Sequence, residues 1–356
     1  MAGVPSSRPR RAQERNLMRQ VVVGSVAALA LLGSGLALAG GTSAAGSADS
    51  VNRVSSADGA AARSGFTGQS RLRDGQDVRW DPNTLTRSEA AEIEARQQRI
   101  LHRSGLATSA RPNGSISVPI EFHNVGKRNG EGFVSKKQIR AQVRVLNRAF
   151  AGRTSPRAVN TPFRFRINSI DRTRNSGWYN ANPFTKEGRI ELRDMRRELH
   201  VGNARHLNMY TVGFRTKLLG FATYPSGKKP KLDGTVLLNE SLPRGNADFG
   251  PGSVYNRGDT GTHEVGHWLN LYHTFQGSCG RLNDYVTDTP RQQLGDNIFE
   301  EDPSLDTCKP HGPNSKDPVR NFMNYTDDPF MNHFTRGQRD RMDTSWYIRL
   351  TLAQSD

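Results

Sequence analysis

His263 and His267 stand four residues apart, with Glu264 beside the first. Residues at this spacing share one face of a helix, so the two imidazoles can grip one metal ion. Zn²⁺ suits such a pair, with the ring nitrogens at about 2.0–2.1 Å from it. Zinc draws the pKa of a bound water towards 7, and the Glu264 carboxylate can take that proton and pass it to a leaving amine. A third histidine, His273, follows six residues after the second. Six residues on a straight helix advance about 600°, onto a different face, so the chain must turn after Leu269. The turn needs a residue that tolerates positive φ, and Asn270 is the best substitute for glycine there. Three histidines leave one position open for water, which is the catalytic pattern and not the structural one.

The metal helix, at about residues 259–270, needs a scaffold. Ser115–Val125 alternates and is β-branched, which predicts a strand. Ser135 caps a predicted helix with Ile139, Val143, Leu146 and Phe150 on one face and Lys137, Arg140, Arg144 and Arg148 on the other. Phe163, Phe165 and Ile167 alternate with Arg164, Arg166 and Asn168, the pattern of a half-buried strand. Leu207–Phe214 and Thr235–Leu238 predict two further strands. Strands interleaved with helices indicate an α/β or α+β sheet domain, with Trp268 and Leu271 packing the metal helix onto the sheet.

The stretch HEVGHWLNLYH at 263–273 resembles the extended zinc motif of the metzincin metalloproteases, with Asn270 where they carry glycine. Asn321-Phe322-Met323-Asn324-Tyr325, about 50 residues on, resembles their Met-turn. VPIEFH, the DRTRN…W segment at 171–178, GFATYP at 220–225, DGTVLLN at 233–239, DYVTDTP at 284–290 and FMNYTDDPFMNHFTRGQ at 322–338 extend the likeness. Together they make the chain similar to pappalysin-like (cytophagalysin) proteases over roughly residues 115–342. The resemblance implies a metzincin-like zincin: a twisted mixed sheet, an active-site helix and an irregular C-terminal subdomain containing the Met-turn. It implies zinc on His263, His267 and His273, Glu264 as general base and acid, and Met323 as the hydrophobic floor. Tyr325 would approach the metal and steady the oxyanion, since a phenol donor beside developing negative charge lowers the barrier. Asp284, Thr287, Asp288 and Thr289 resemble the family's calcium loop, although two carboxylates are few for an ion that takes 6–8 oxygens. Phe330 stands where family members often place a cysteine of a second bridge. Asp327 and Asp328 follow the Met-turn, where a specificity pocket is often walled; an acidic pocket would favour Arg or Lys.

The rest of the chain supplies address and charge. Residues 1–39 combine five Arg, an apolar run from Val21 and Ala37-Leu38-Ala39, which predicts a cleaved secretory signal, with an uncleaved membrane tether as the alternative. Residues 40–110 are expected to be a linker and pro-segment, Ala/Gly/Ser-rich at 40–70 and with a short exposed helix at 81–103 capped by a Ser. The catalytic domain is assigned to 111–356. No cysteine precedes Cys279, so a thiol cannot block the metal; Asp74 or Asp77 could serve instead. Cys279 and Cys308 flank an irregular loop, and an exported domain favours a disulfide there. The formal charge is +16 over 356 residues. Eleven basic residues lie between Lys136 and Arg174, opposed by Asp171 alone. No aromatic residues interleave with them as a nucleic-acid platform requires, so an anionic cell surface is the favoured partner beside a protein or peptide substrate. His123, His200, His206 and His333 read as ordinary hydrogen-bonding residues. The expected function is that of a secreted zinc endopeptidase. The rivals are a silent zinc-stabilised binding module and a polyanion-binding surface protein.

Overall fold

The computed structural model describes residues 70–72, 85–104, 110–214, 216–225, 229–250, 253–309 and 316–354. The predicted signal, Asp74 and Asp77 lie outside the described residues. Six strands form one mixed sheet in the order β1-β5-β6-β4-β2-β3. They are β1 (Ser70–Leu72), β2 (Ile116–Gly126), β3 (Phe163–Arg174), β4 (Leu207–Val212), β5 (Leu218–Ala222) and β6 (Thr235–Leu238). The pairs β2–β3, β2–β4 and β4–β6 are parallel, whereas β5 runs antiparallel to both β6 and β1. Every residue of β4 and β6 is buried, as expected for central strands covered on both faces.

Among the described residues there are six helices: α1 (Arg87–Ser104), α2 (Lys136–Phe150), α3 (Ser176–Tyr179), α4 (Lys186–Leu199), α5 (Asp259–Trp268) and α6 (Arg336–Leu352). α2 starts where Ser135 and Gln138 make a capping box, and it buries Ile139, Val143, Leu146 and Phe150 as its spacing predicts. These side chains join Val118, Ile120 and Phe122 of β2, Leu207 and Met209 of β4, and Trp268 of α5 in one core. The alternate residues of β4, Tyr210 and Val212, face a second core with Leu192 and Met195 of α4. One sheet thus has apolar layers on both faces.

Three features differ from expectation. The helix upstream of residue 110 is neither short nor wholly exposed. It runs for 18 residues, begins at Thr86 rather than at a serine, and packs on α6 through the Glu94–Arg341 ion pair. Thr86 and Glu89 exchange bonds, the Thr86 N–H to Glu89 Oε2 at 2.7 Å and the Glu89 N–H to Thr86 Oγ1 at 3.2 Å. Residues 70–72, within the Ala/Gly/Ser-rich linker and its fringe, form a strand on the sheet edge. Finally, α4, β5 and α6 were not among the predicted elements. The expected disulfide is present between Cys279 and Cys308.

Candidate active site

Zinc-type chemistry needs its helix held at both ends, and polar groups hold both ends of α5. At the start, Asp328 Oδ2 accepts the backbone N–H groups of Arg257, Gly258 and Asp259 at 2.8, 3.0 and 3.2 Å. This carboxylate satisfies donors that a helix N-terminus leaves without partners and complements its dipole. At the other end, the Arg349 guanidinium donates to the Trp268 carbonyl through Nε at 3.1 Å and Nη2 at 2.6 Å. Arg349 also pairs with Asp233 at 2.8 Å, which accepts the Trp268 indole N–H at 2.9 Å. The backbone then turns at Asn270, whose φ is 79°. The third histidine swings back as its spacing requires.

The three imidazoles converge. His263 Nε2 and His267 Nε2 are 3.0 Å apart, His267 and His273 3.1 Å, and His273 and His263 3.2 Å. A tetrahedral ion with nitrogens at about 2.0–2.1 Å would hold them about 3.3 Å apart. The opposite ring nitrogens fix the tautomers: His263 Nδ1–H donates to the Phe322 carbonyl and His267 Nδ1–H to the Leu271 carbonyl, each at 2.7 Å. The lone pairs are thereby left on Nε2. Burial drives the His263 imidazole well below its usual pKa, with His267 and His273 adding to the effect, and burial takes His267 down to about 3. Neutral imidazoles with converging lone pairs cannot bond to one another; they suit a cation. Among the described residues this is the one histidine, cysteine and carboxylate cluster with metal-holding geometry.

Glu264 is buried on the same helix. Gly220 of β5 lets the sheet edge approach it, because a Cβ on Gly220 would lie 3.0 Å from Glu264 Cγ. Gly266 does the same for Met323, whose Sδ would sit 2.4 Å from a Cβ there. Met323 therefore packs directly beneath the histidine helix. The Tyr325 ring lies 4.7 Å from that of His273 and 5.8 Å from that of His263. The sequence-predicted residues His263, Glu264, His267, His273, Met323 and Tyr325 come together.

Others are placed elsewhere. Asp328 faces no open pocket in the full chain because Arg71 of β1 occupies the place beside it: the carboxylate is buried, and its Oδ1 pairs with Arg71 at 2.8 Å. Asp327 accepts the Val254 N–H at 3.4 Å and is also buried. Asp328 is drawn inward because the start of α5 needs acceptors. Asp288 is spent on α6, accepting the Thr335 hydroxyl at 2.7 Å and the Gly337 N–H at 2.9 Å, and Thr287 is exposed. By contrast, Asp284 Oδ2, Thr289 Oγ1 and Asn283 Oδ1 are buried without hydrogen-bond partners. Burial lifts the Asp284 carboxyl to about 8. His123 is sandwiched between Asp171 and Asn208, and His206 bonds Glu121 at 2.9 Å; neither approaches the cluster.

Arg71 is the participant that sequence reasoning missed. β1 pairs antiparallel with β5, and Arg71 stands opposite Gly220, the residue against Glu264. Its side chain is fully buried. It donates to Thr260 Oγ1 at 3.0 Å, Asp328 Oδ1 at 2.8 Å and the Thr326 carbonyl at 2.7 Å. Arg71 therefore bridges the first turn of α5 and the segment just after Tyr325.

The peptidase M43 model, described as pregnancy-associated plasma protein-A, matches residues 199–346. An extracellular metalloprotease of Colletotrichum graminicola is 35% identical over 266 residues, 72% of this chain and 86% of the relative. The chain belongs to the pappalysin family of metalloproteases. Extracellular metalloprotease 1 of Coccidioides posadasii is likewise 35% identical, over 65% of this chain and 77% of its own. Among solved structures, a promirolysin mutant of Tannerella forsythia aligns with a TM-score of 0.57 and 25% identity, covering 80% of this chain and 98% of that one. Mature mirolysin of the same organism, in complex with a cleaved peptide, aligns at 0.52 and 27%, over 68% and 98%. The pappalysin fold and a zinc metalloendopeptidase activity follow from this membership, and the non-catalytic reading is not favoured.

Proposed function

We propose that this pappalysin is an exported endopeptidase in which His263, His267 and His273 hold zinc and Glu264 moves the proton. The observation that carries the reading is the convergence of three Nε2 atoms, 3.0–3.2 Å apart, beside a buried glutamate on one helix. When bound, zinc supplies Lewis acidity that acidifies water and polarises the scissile carbonyl. Glu264 takes the proton from the attacking water and returns it to the leaving nitrogen. The Tyr325 hydroxyl donates to the carbonyl oxygen as negative charge develops on it. The substrate adds a strand to the edge of β5, the place β1 holds in the full chain. Met323 serves as the Met-turn floor.

Two finer assignments accompany this reading. First, β1 is an internal occupant of the cleft, and Arg71 stands where a substrate's basic side chain would meet Asp328. This supports cleavage next to Arg or Lys and a pro-segment role for the part of residues 40–110 that carries β1. Second, Ca²⁺ would be taken by Asp284, Thr289 and Asn283, whose buried oxygens lack partners; Asp288 is committed to α6. The secretory signal at residues 1–39 fits the extracellular naming of the relatives, and among the described residues no helix is long and apolar enough to cross a membrane. The exposed cations of α2 and β3 fit adsorption to an anionic surface.

The test is cleavage of a mixed peptide library by the zinc-loaded chain, wild type and Glu264→Ala side by side, read by mass spectrometry. Cleavage by wild type alone, enriched for Arg or Lys at one position flanking the cut, supports the reading. Equal cleavage by both variants overturns the role of Glu264. Wild-type cuts without a basic preference overturn the role given to Arg71.

A further inference from the structure

Asn270 contributes more than a backbone angle. Its side chain is 4% exposed and forms a reciprocal amide pair with Gln97 of α1, itself 2% exposed. Gln97 Nε2 donates to Asn270 Oδ1 and Asn270 Nδ2 donates to Gln97 Oε1, each at 2.7 Å. The Asn270 backbone carbonyl accepts Arg341 Nε–H at 2.7 Å, and Arg341 is paired with Glu94, one turn before Gln97 on the same helix. α1 therefore grips residue 270 twice, directly through its side chain and indirectly through Arg341.

Residue 270 is the pivot between two of the converging imidazoles. Its N–H donates to the His267 carbonyl at 2.8 Å, and the next N–H, that of Leu271, donates to the Gly266 carbonyl at 2.9 Å. The Leu271 carbonyl is the acceptor that fixes the His267 ring at 2.7 Å, and His273 follows two residues later. A swing at Asn270 would move both the acceptor behind His267 and the approach of His273. A glycine would reach φ 79° without strain, but it would offer Gln97 nothing to hold. Two buried amides that each donate to and accept from the other make a specific link, since removing one leaves a buried donor and acceptor of the other unpaired.

We propose that Gln97 is a positioning residue of the zinc site: acting through Asn270, it holds the 269–273 loop so that His267 and His273 present their nitrogens together. α1 is thus a brace of the metal centre as well as part of the segment upstream of the catalytic domain. This rests on the assignment of zinc to the three histidines.

The test uses the full chain with Gln97→Leu, Gln97→Glu, Asn270→Gly and the Gln97→Leu/Asn270→Gly double variant. Two readouts are followed: the rate of zinc loss to a chromophoric chelator and the visible spectrum of the cobalt-loaded protein. Supporting groups behind a metal ligand are typically worth about 10–100-fold in metal affinity. Gln97→Leu is expected to lose zinc about tenfold faster or more and to shift the cobalt bands. Gln97→Glu, which can accept from Asn270 but not donate to it, should fall between. With glycine at 270, the further Gln97→Leu change should have little effect. Wild-type zinc retention and cobalt bands in both Gln97 variants would overturn the proposal. So would an undiminished Gln97→Leu effect on the Asn270→Gly background, because the link would not then pass through Asn270. If Gln97→Leu does not fold, the Gln97→Glu comparison with wild type carries the test by the same criteria. A wild-type chain that binds no cobalt overturns the zinc assignment itself, a result distinct from these.

Discussion

At the scale of single residues, Glu264 and Asp284 are both buried carboxyls, and their neighbours give them opposite uses. Glu264 follows His263 on the metal helix and packs against Gly220, where a Cβ would lie 3.0 Å from its Cγ. Glu264→Ala should lower peptide cleavage by at least about 10²–10⁴-fold while the zinc content, measured by atomic absorption, stays unchanged. Asp284 is held near 8 by burial, against about 3.9 in an unfolded chain. Between those values the folded chain keeps a proton that the unfolded chain has lost. Its contribution to stability is therefore complete below about pH 3.9 and is lost as the pH rises through about 8. In the presence of chelator, the thermal midpoint should fall as the pH is raised across that window. Added calcium should remove the fall, because the cation replaces the proton. A pH profile that is the same with and without calcium would remove Asp284 from the calcium assignment.

At the scale of elements, the ten-residue α5 depends on what clamps its ends. Asp328 accepts three backbone N–H groups and one guanidinium, so Asp328→Ala leaves buried donors and the Arg71 cation without their acceptor. The cost should be about 3–5 kcal/mol, read as a large drop in the midpoint of urea unfolding. Arg71→Ala should behave differently, since Asp328 keeps its three N–H partners and α5 stays capped. Losing the charged hydrogen bond to Asp328 alone, about 1.5–3 kcal/mol, would weaken the hold of β1 by at least about 10–100-fold, and the bonds to Thr260 and Thr326 go with it. The full chain should then begin to cleave peptide with a shorter lag than wild type, and an unchanged lag would show that β1 does not restrain activity. Local sequence revealed α2, because Ser135 and the three- and four-residue spacing of Ile139, Val143, Leu146 and Phe150 all act within one helix. It revealed the turn at Asn270 as well, because the histidine spacing demanded it. Arg71, Asp233 and Arg349 gave no such sign. Each takes its role from partners remote in sequence, Arg71 from Asp328 and Thr260, and Asp233 and Arg349 from one another and from Trp268, so composition shows only a basic or acidic side chain. α6 did carry a readable start in Thr335 and Gln338, but its weakly segregated polar and apolar positions hid the rest.

At the scale of the whole molecule, charge is distributed unevenly. Lys137, Arg140, Arg144 and Arg148 of α2 and Arg166, Arg172 and Arg174 of β3 are exposed, and β3 is the sheet edge opposite β1. The zinc helix packs against β5 and β6 and also against α2, whose cations lie on its opposite, exposed face. Adsorption through the basic edge would therefore leave the cleft accessible. Retention on a heparin column should weaken steeply with salt, and replacing Arg140, Arg144 and Arg148 with serine should bring elution to lower salt while peptide cleavage is kept. Elution at the same salt would locate the interaction elsewhere. The basic excess was legible in the sequence, but its gathering on one edge was not, because it depends on the parallel pairing of β3 with β2 and on the packing of α2 against β3, where Asn147 bonds the Phe165 backbone.

If β1 acts as the proposed pro-segment, it would also govern how activation proceeds in time. While covalently attached, it would compete for the edge of β5 as a tethered ligand, at an effective concentration set by its tether and not by dilution. A peptide in solution must exceed that concentration, or bind far more tightly, to displace it. Cutting the tether changes none of the contacts of Arg71; it turns a unimolecular competitor into a bimolecular one. Release then becomes a matter of dilution. In a confined or crowded volume the severed segment would continue to act as a product inhibitor, and full activity would appear only as it diffuses away.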